Sequence, residues 1–271
     1  MRAIVMSIAA GALLCASAGA STPAAAQSLE SRIASAGDGV VQLRYASRPG
    51  VCGDGRGSIG AGGSTIMRQY SSDPDYSDSR AWCVPGPVRV VLTVHDGATD
   101  RARVFVGGND SSPGVSDLGV VGAREAADYF LALAPRARGS VGDDAILAAV
   151  LADSTTPWPA LLSVARSESV PHSTRESATF WLSRGAAAAV NHRPLFAERD
   201  ADARDESESD EVRGAAIFAL SQQPRDEGVP ALIKVARGNT APSARSKALF
   251  WLGQSGDPRA LDLFAELLGL K

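Results

Sequence analysis

A passage in the second half of the chain occurs twice. Residues 158–185 read WPALLSVARSESVPHSTRESATFWLSRG, and residues 229–256 read VPALIKVARGNTAPSARSKALFWLGQSG. Each copy has the apolar spacing of two amphipathic helices joined by a short turn. A single helix pair leaves an apolar face uncovered, so tandem pairs stack against each other to bury a continuous core. The repetition predicts an α-solenoid, an architecture that usually binds other molecules.

One of the two helix types occurs a third time, which allows the alignment of RESATFWLSR, RGAAIFALSQ and RSKALFWLGQ. A column of alanines allows neighbouring helices to approach closely, and phenylalanine and leucine columns supply an apolar stripe. The alanine column is Ala178, Ala216 and Ala248, and the leucine column is Leu182, Leu220 and Leu252. The alignment predicts one buried ridge of stacked rings, formed by Phe180, Phe218 and Phe250.

The other helix type begins near residues 159, 230 and 259, and residues 122–152 supply an earlier, degenerate pair. We therefore expect a helical region over residues 121–271. In its inner helix row, Arg166 and Arg237 share a repeat column, and Lys234 lies one turn before Arg237. These three bases form a predicted binding stripe for an acidic protein segment or an anionic envelope polymer.

These segments resemble the HEAT-like repeat family, in particular the short HEAT repeats of phycobilin lyases. The family motif x-V-R-x-x-A-x-x-A-L-G, followed by D-x-x-x-[VI]-P-A-L, stands here as EVRGAAIFALSQ and RDEGVPALIKVAR. A further copy is SARSKALFWLGQSGDPRALDLFAELL. The resemblance implies a helical repeat fold for the C-terminal half. Because the matched motif is structural, the resemblance implies no catalytic residue.

Residues 1–26 have the composition of a cleaved signal peptide: Arg2, then an apolar stretch, then the small residues Ala24 to Ala26. Cleavage removes one of the 27 basic residues and none of the 30 acids, so the formal net charge goes from −3 to −4. An acidic chain of this kind is a poor candidate for non-specific nucleic-acid binding. No later segment has the 18 consecutive apolar residues typical of a transmembrane helix. We expect an exported protein, periplasmic or secreted.

Cleavage also removes Cys15 and leaves Cys52 and Cys83. Two cysteines in an exported chain most often form a disulfide. The alternative is a metal-binding or nucleophilic pair, but two thiols without nearby histidine are poor zinc ligands. We therefore expect a disulfide, and neither a metal nor a cofactor.

Residues 27–120 are predicted to form a small β-rich domain, which makes the fold α+β overall. Alternating apolar residues predict a strand over 41–45, and residues 87–95 and 101–106 flank Asp96-Gly97 as a β-hairpin. Residues 29–36 suggest a short leading helix. The polar stretch from Gly50 to Arg80 is predicted to be a long loop, either mobile and tethered at its ends by the disulfide or used for recognition.

Several motifs are discounted as sites. Gly55, Gly57 and Gly60 match G-x-G-x-x-G, but the sequence that follows is a poor helix start, which the dinucleotide fingerprint requires. The acidic run over 198–211 lacks the order of a calcium loop. The histidines are scattered: His95 at a strand end, and His172 and His192 in predicted turns.

Two functional classes remain. The first is a non-catalytic extracytoplasmic interaction or scaffold protein that binds a partner through its repeat surface. The second is an enzyme, or an enzyme-accessory subunit, with its site in the N-terminal domain or at the domain junction. A deep polar pocket around His95 would favour the second class, and a groove without clustered titratable groups would favour the first.

Overall fold

The computed structural model describes residues 27–61, 64–68, 83–108, 114–196, 208–238 and 240–270. The predicted signal peptide, much of the polar stretch and most of the acidic run lie outside these residues. The fold is α+β, with a β-containing N-terminal region followed by a run of helices. A continuous buried apolar cluster extends from Leu29 to Ala265, so strands and helices share a core.

The first sheet has the strand order β7-β6-β1-β8. Its strands are β1 (Gly39–Tyr45), β6 (Val88–His95), β7 (Ala98–Val106) and β8 (Val115–Val120). Strand β1 runs antiparallel to β6 and parallel to β8. The predicted hairpin is confirmed: Asp96 and Gly97, with φ of 49° and 72°, supply the two left-handed residues that a tight hairpin turn needs. The predicted leading helix is α1 (Leu29–Ser35).

A second sheet occupies part of the stretch that was predicted to be a loop, and the prediction is wrong for residues 51–53, 58–61 and 64–68. Residues 69–80 of that stretch lie outside the described residues. Its strand order is β4-β3-β2-β5, with β2 (Val51–Gly53), β3 (Ser58–Ala61), β4 (Ser64–Arg68) and β5 (Val84–Pro85). This stretch lacks the alternating apolar pattern of a strand because glycines stand at positions where two backbone segments touch. A Cβ added to Gly53 would lie 2.5 Å from the Val106 carbonyl oxygen, and one added to Gly55 would lie 2.7 Å from Gly108 Cα.

The predicted disulfide is confirmed. Cys52 on β2 is bonded to Cys83, which precedes β5, and their Cα atoms are 5.0 Å apart. The bond therefore joins the two ends of a long segment at the edge of the second sheet.

The glycine-rich turn between β2 and β3 is organised by one carboxylate. Asp54 Oδ1 accepts hydrogen bonds from the backbone N–H groups of Arg56, Gly57 and Ser58 at 2.8–2.9 Å. Burial opposes ionisation of this carboxyl, but the N–H donors more than offset it, so the pKa of Asp54 lies below its usual value. The two strands around the turn are antiparallel, and no helix follows it, which agrees with rejection of the dinucleotide motif.

Eight helices follow α1 among the described residues. They are α2 (Ala123–Leu133), α3 (Val141–Leu151), α4 (Trp158–Arg166), α5 (His172–Val190), α6 (Glu208–Ser221), α7 (Arg225–Arg237), α8 (Pro242–Gln254) and α9 (Pro258–Leu267). Within the described parts of the chain, no helix combines the length and apolarity needed to cross a bilayer.

The last helices pack in an order that differs from their order in the sequence. Helix α8 lies between α5 and α6, and α9 lies between α4 and α7. The guanidinium of Arg245, near the start of α8, donates to Asn191 Oδ1 at the end of α5. Further along, Ser183 lies against Gly253, so α5 and α8 run antiparallel. Helices α6 and α8 run parallel, since Gly214 lies beside Lys247 and Phe218 beside Trp251. Of the three aligned helix copies, α5 therefore departs from the parallel order of a repeat stack.

The predicted buried ridge of phenylalanines is wrong. Phe218 and Phe250 are 48% and 42% exposed, and Phe180 is only half-buried. In the first and third copies the alanine and leucine columns are buried instead, at Ala178, Leu182, Ala248 and Leu252. In the second copy Ala216 is exposed and Leu220 is half-buried. The phenylalanine and leucine columns are two residues apart, which is about 200° around a helix. Both columns therefore cannot face the same core.

This correction predicts which side chain stabilises the repeat. Replacement of Leu252 by Ala should lower the free energy of unfolding by about 2–5 kcal/mol, because the side chain is fully buried and its removal leaves a cavity. Replacement of Phe218 by Ala, at an exposed site, should cost less than about 1 kcal/mol. Urea denaturation of both variants measures the two costs. A larger loss for Phe218→Ala than for Leu252→Ala would contradict the helix rotation described above.

Candidate functional site

The predicted basic stripe is interleaved with acids from α9. On α4, Arg166 pairs with Asp262 at 2.7 Å, and on α7, Arg237 pairs with Glu266. Lys234 is exposed one turn before Arg237. Because α9 lies between α4 and α7, this helix row presents a surface of mixed charge. Arg166 and Arg237 thus lie on the two helices that flank α9, and α9 supplies an acidic partner to each of them.

A different surface carries the exposed aromatic side chains. Phe218 of α6 and Phe250 of α8 each contact the ring of Trp251, with centroids 5.2 and 5.1 Å apart. We call these three residues the aromatic patch. Two of its members are among the few large apolar side chains that are exposed in the described residues. Exposed apolar side chains that are contiguous, rather than scattered, commonly mark interaction sites.

A groove of about 340 Å³ adjoins the aromatic patch. It lies where the end of α6, the start of α7 and the end of α8 meet. Its apolar floor consists of Leu220, Val229, Leu232 and Trp251. Its polar rim consists of Ser221, Gln222, Gln223, Arg225, Gln254 and Ser255. Trp251 belongs to both the groove and the patch, so the two form one continuous surface.

The rim of the groove is held in place by an ion pair at the start of α9. Asp257 Oδ1 accepts from the backbone N–H of Arg259, and both carboxylate oxygens accept from its guanidinium, at 2.8–2.9 Å. The Arg259 guanidinium also donates to the backbone carbonyl of Arg225 at 2.9 Å. These bonds tie the start of α7 to the start of α9. The hydrogen bond from the Arg259 side chain is the main reason that the pKa of Asp257 lies below its usual value.

The histidines do not converge on a pocket. His95 Nδ1 lies 3.3 Å from Asp38 and its Nε2 lies 3.6 Å from Asp96, but these side chains are 55–89% exposed. Within the described residues, this is the one group of three that could offer ligands to a metal ion, and all three lie on the surface. His172 was predicted in a turn but begins α5, whereas His192 follows α5 in a turn as predicted.

The HEAT repeats family matches residues 201–271. This segment includes α6 to α9, and therefore contains the aromatic patch and the groove. No curated protein and no solved structure matches the chain. The predicted resemblance to HEAT-like repeats in the C-terminal half is thus confirmed over those residues, and HEAT repeats suggest a protein-interaction or scaffold role.

The charge of Asp257 should make stability depend on pH. Because its pKa is depressed in the folded state, its contribution is present above its unfolded-state pKa of about 3.9. That contribution is lost as the pH falls through the lower folded-state pKa. Replacement by Asn keeps a good helix cap but removes the charge, so it should cost about 0.5–1 kcal/mol at neutral pH.

Urea denaturation at a series of pH values measures this effect. The difference between the wild type and Asp257→Asn should shrink as the solution is acidified below pH of about 4. The control is Asp128→Asn on the exposed side of α2. A difference that is constant over the whole range would contradict a role for the Asp257 charge.

Proposed function

We propose that the chain is an exported, non-catalytic interaction protein that binds a partner protein through α6, α7 and α8. The observation that carries this proposal is the aromatic patch, which continues into a groove inside the segment that matches HEAT repeats. Aromatic side chains dominate the binding energy of many protein interfaces because they bury a large area with little loss of side-chain freedom.

Two features support export. Residues 1–26 have the charge and apolarity pattern of a signal peptide, and cleavage after Ala26 would leave an even number of cysteines. The Cys52–Cys83 disulfide is typical of an oxidising compartment outside the cytoplasm. In this proposal the mature protein consists of a β-rich part over residues 27–120 and a helical part over 121–271, which share one core.

The position of His95 supports a binding role over a catalytic one. A general base normally lies in a partly enclosed site, where burial and neighbouring charges tune its pKa. The His95 side chain is 66% exposed at the end of a hairpin. Its two carboxylate neighbours are also exposed, so the group lies on the surface and not in an enclosed site.

The mixed charge of the α4–α9–α7 row favours a protein partner over an anionic polymer. A polymer of repeated negative charge that approached Arg166 and Arg237 would also meet Asp262 and Glu266, which already pair with those bases. A folded partner with charges of both signs can match such a surface. The row, including Lys234, is therefore a secondary contact in this proposal.

Affinity capture with two surface variants tests the proposal. Mature protein, whose intact mass verifies a start at Gln27 and a closed disulfide, is used to capture partners from the native envelope fraction. The patch variant carries Phe218→Gln and Phe250→Gln, and the row variant carries Arg166→Gln, Lys234→Gln and Arg237→Gln. Neutral substitutions are used because a glutamate at position 166 or 237 would repel Asp262 or Glu266.

We expect the wild type to capture a specific protein and the patch variant to bind it at least about tenfold more weakly. The row variant should retain most of the affinity, and both variants should melt near the wild-type temperature. Loss of binding in the row variant with full binding in the patch variant would show that the interface lies on the α4–α9–α7 row instead. Turnover of a captured substrate would contradict the non-catalytic role.

A further inference from the structure

We infer that the groove binds an extended segment of the partner in which one large apolar side chain is flanked by Asp or Glu. This inference rests on the proposed function, since it names the part of a protein partner that the α6–α8 surface takes. Size, hydrogen-bonding capacity and charge of the groove each support it.

The groove is large enough for one side chain and its adjoining backbone. The volume of about 340 Å³ is near the lower end of the range of about 300–1,000 Å³ for small-molecule pockets. A helix has a diameter of about 10 Å and cannot enter such a space, although a single side chain can. Val229 and Leu232, which are 3% and 1% exposed, form a fixed apolar floor. An apolar anchor side chain is therefore the expected contact with the floor.

The polar rim can form hydrogen bonds with the main chain of an extended segment. An extended segment has N–H and C=O groups that have no partner within the segment, so its binding site must supply them. Gln223 and Gln254 lie exposed at the rim, and each side-chain amide offers both a donor and an acceptor. The Ser221 and Ser255 hydroxyls donate to their own helices at 2.7 Å, and their oxygens already accept from the Gln222 side chain and the Asp257 backbone N–H. Gln223 and Gln254 are therefore the groups that contact the main chain of the segment.

The charge of the rim selects carboxylates. Arg225 is exposed there, and the residues that line the groove include no acid. Its guanidinium can bind a carboxylate through two parallel hydrogen bonds. Asp226 and Glu227 follow on α7, and the Asp257 carboxylate interacts electrostatically with Arg225. These three acids weaken the local positive potential, but none of them lines the groove. The complementary partner carries acids close to its apolar anchor.

The aromatic patch gives the segment a direction along the surface. Trp251 lines the groove and contacts both Phe218 and Phe250, so apolar surface continues from the groove floor toward these rings. A segment anchored in the groove can therefore place a second apolar residue on the patch.

Selection from a phage library of random dodecapeptides on immobilised mature protein tests the inference. Enriched peptides are synthesised with a fluorophore, and fluorescence polarisation measures their affinity. We expect a consensus with one aromatic or large aliphatic residue next to Asp or Glu. Affinity should fall as sodium chloride is raised, because exposed charge pairs are screened.

Two variants and a control identify the site. Arg225→Glu should weaken binding at least about tenfold and remove most of the salt dependence. Gln223→Trp, at an exposed rim position, should block the groove without a change in melting temperature. Arg138→Glu changes an exposed charge in the loop before α3 and should leave the affinity unchanged.

Each other outcome overturns the inference in a distinct way. A consensus without acids, or peptides that bind Arg225→Glu and Gln223→Trp as tightly as the wild type, would show that the groove is not the site. Absence of enriched peptides, together with patch-dependent capture of a folded partner, would overturn the extended segment but leave the proposed function intact. Sedimentation that shows a dimer dissociated by Gln223→Trp would identify the occupant as a second copy of this chain.

Discussion

Helix α3 is the element on which the rest of the structure depends, because it has almost no surface toward solvent. Every residue from Val141 to Leu151 is buried except Asp143. A helix that is apolar on all sides must be covered on all sides. Strands β6 and β7 pack on one side of α3, and α2 and α5 pack on others. Neither the sheet nor the repeat helices alone can cover the apolar surface of α3, so the two halves form one core.

The end of β1 and the segment that follows it supply the polar contacts at the end of α3. The last carbonyl groups of a helix have no partner within it. Here the Arg48 side chain donates to the Val150 carbonyl at 2.7 Å, and the Arg48 backbone N–H donates to that of Leu151 at 2.8 Å. The buried Tyr45 hydroxyl donates to the Ala148 carbonyl at 2.8 Å. The chain that leaves the first sheet thus holds α3 in place, which in turn fixes α5 and the helices packed on it.

The sequence predicts what depends on local pattern. Alternation around Val41, the Asp96-Gly97 turn, the Cys52–Cys83 pair and the repeated helices are all local or covalent signals. The second sheet was missed because its glycines are required by close contact between backbone segments. Such contact leaves no periodic pattern in the sequence. The antiparallel packing of α8 against α5 depends on tertiary contacts, which a local sequence pattern does not record. The same holds for the ion pairs that the acids of α9 form with Arg166 and Arg237. The exposed phenylalanines were predictable in principle, since residues two apart face opposite sides of a helix.

A rigid core of this kind would hold the α6–α8 surface, the binding site that we propose, in a fixed arrangement. Native-state hydrogen exchange followed by mass spectrometry tests the shared core most directly. We predict that the amides of α3, β1 and β6 exchange only through global unfolding, with one common free energy, because none of these elements can open without exposing the others. Loss of protection in α3 together with the helices, while β1 and β6 stay protected, would show two independent domains and contradict the account.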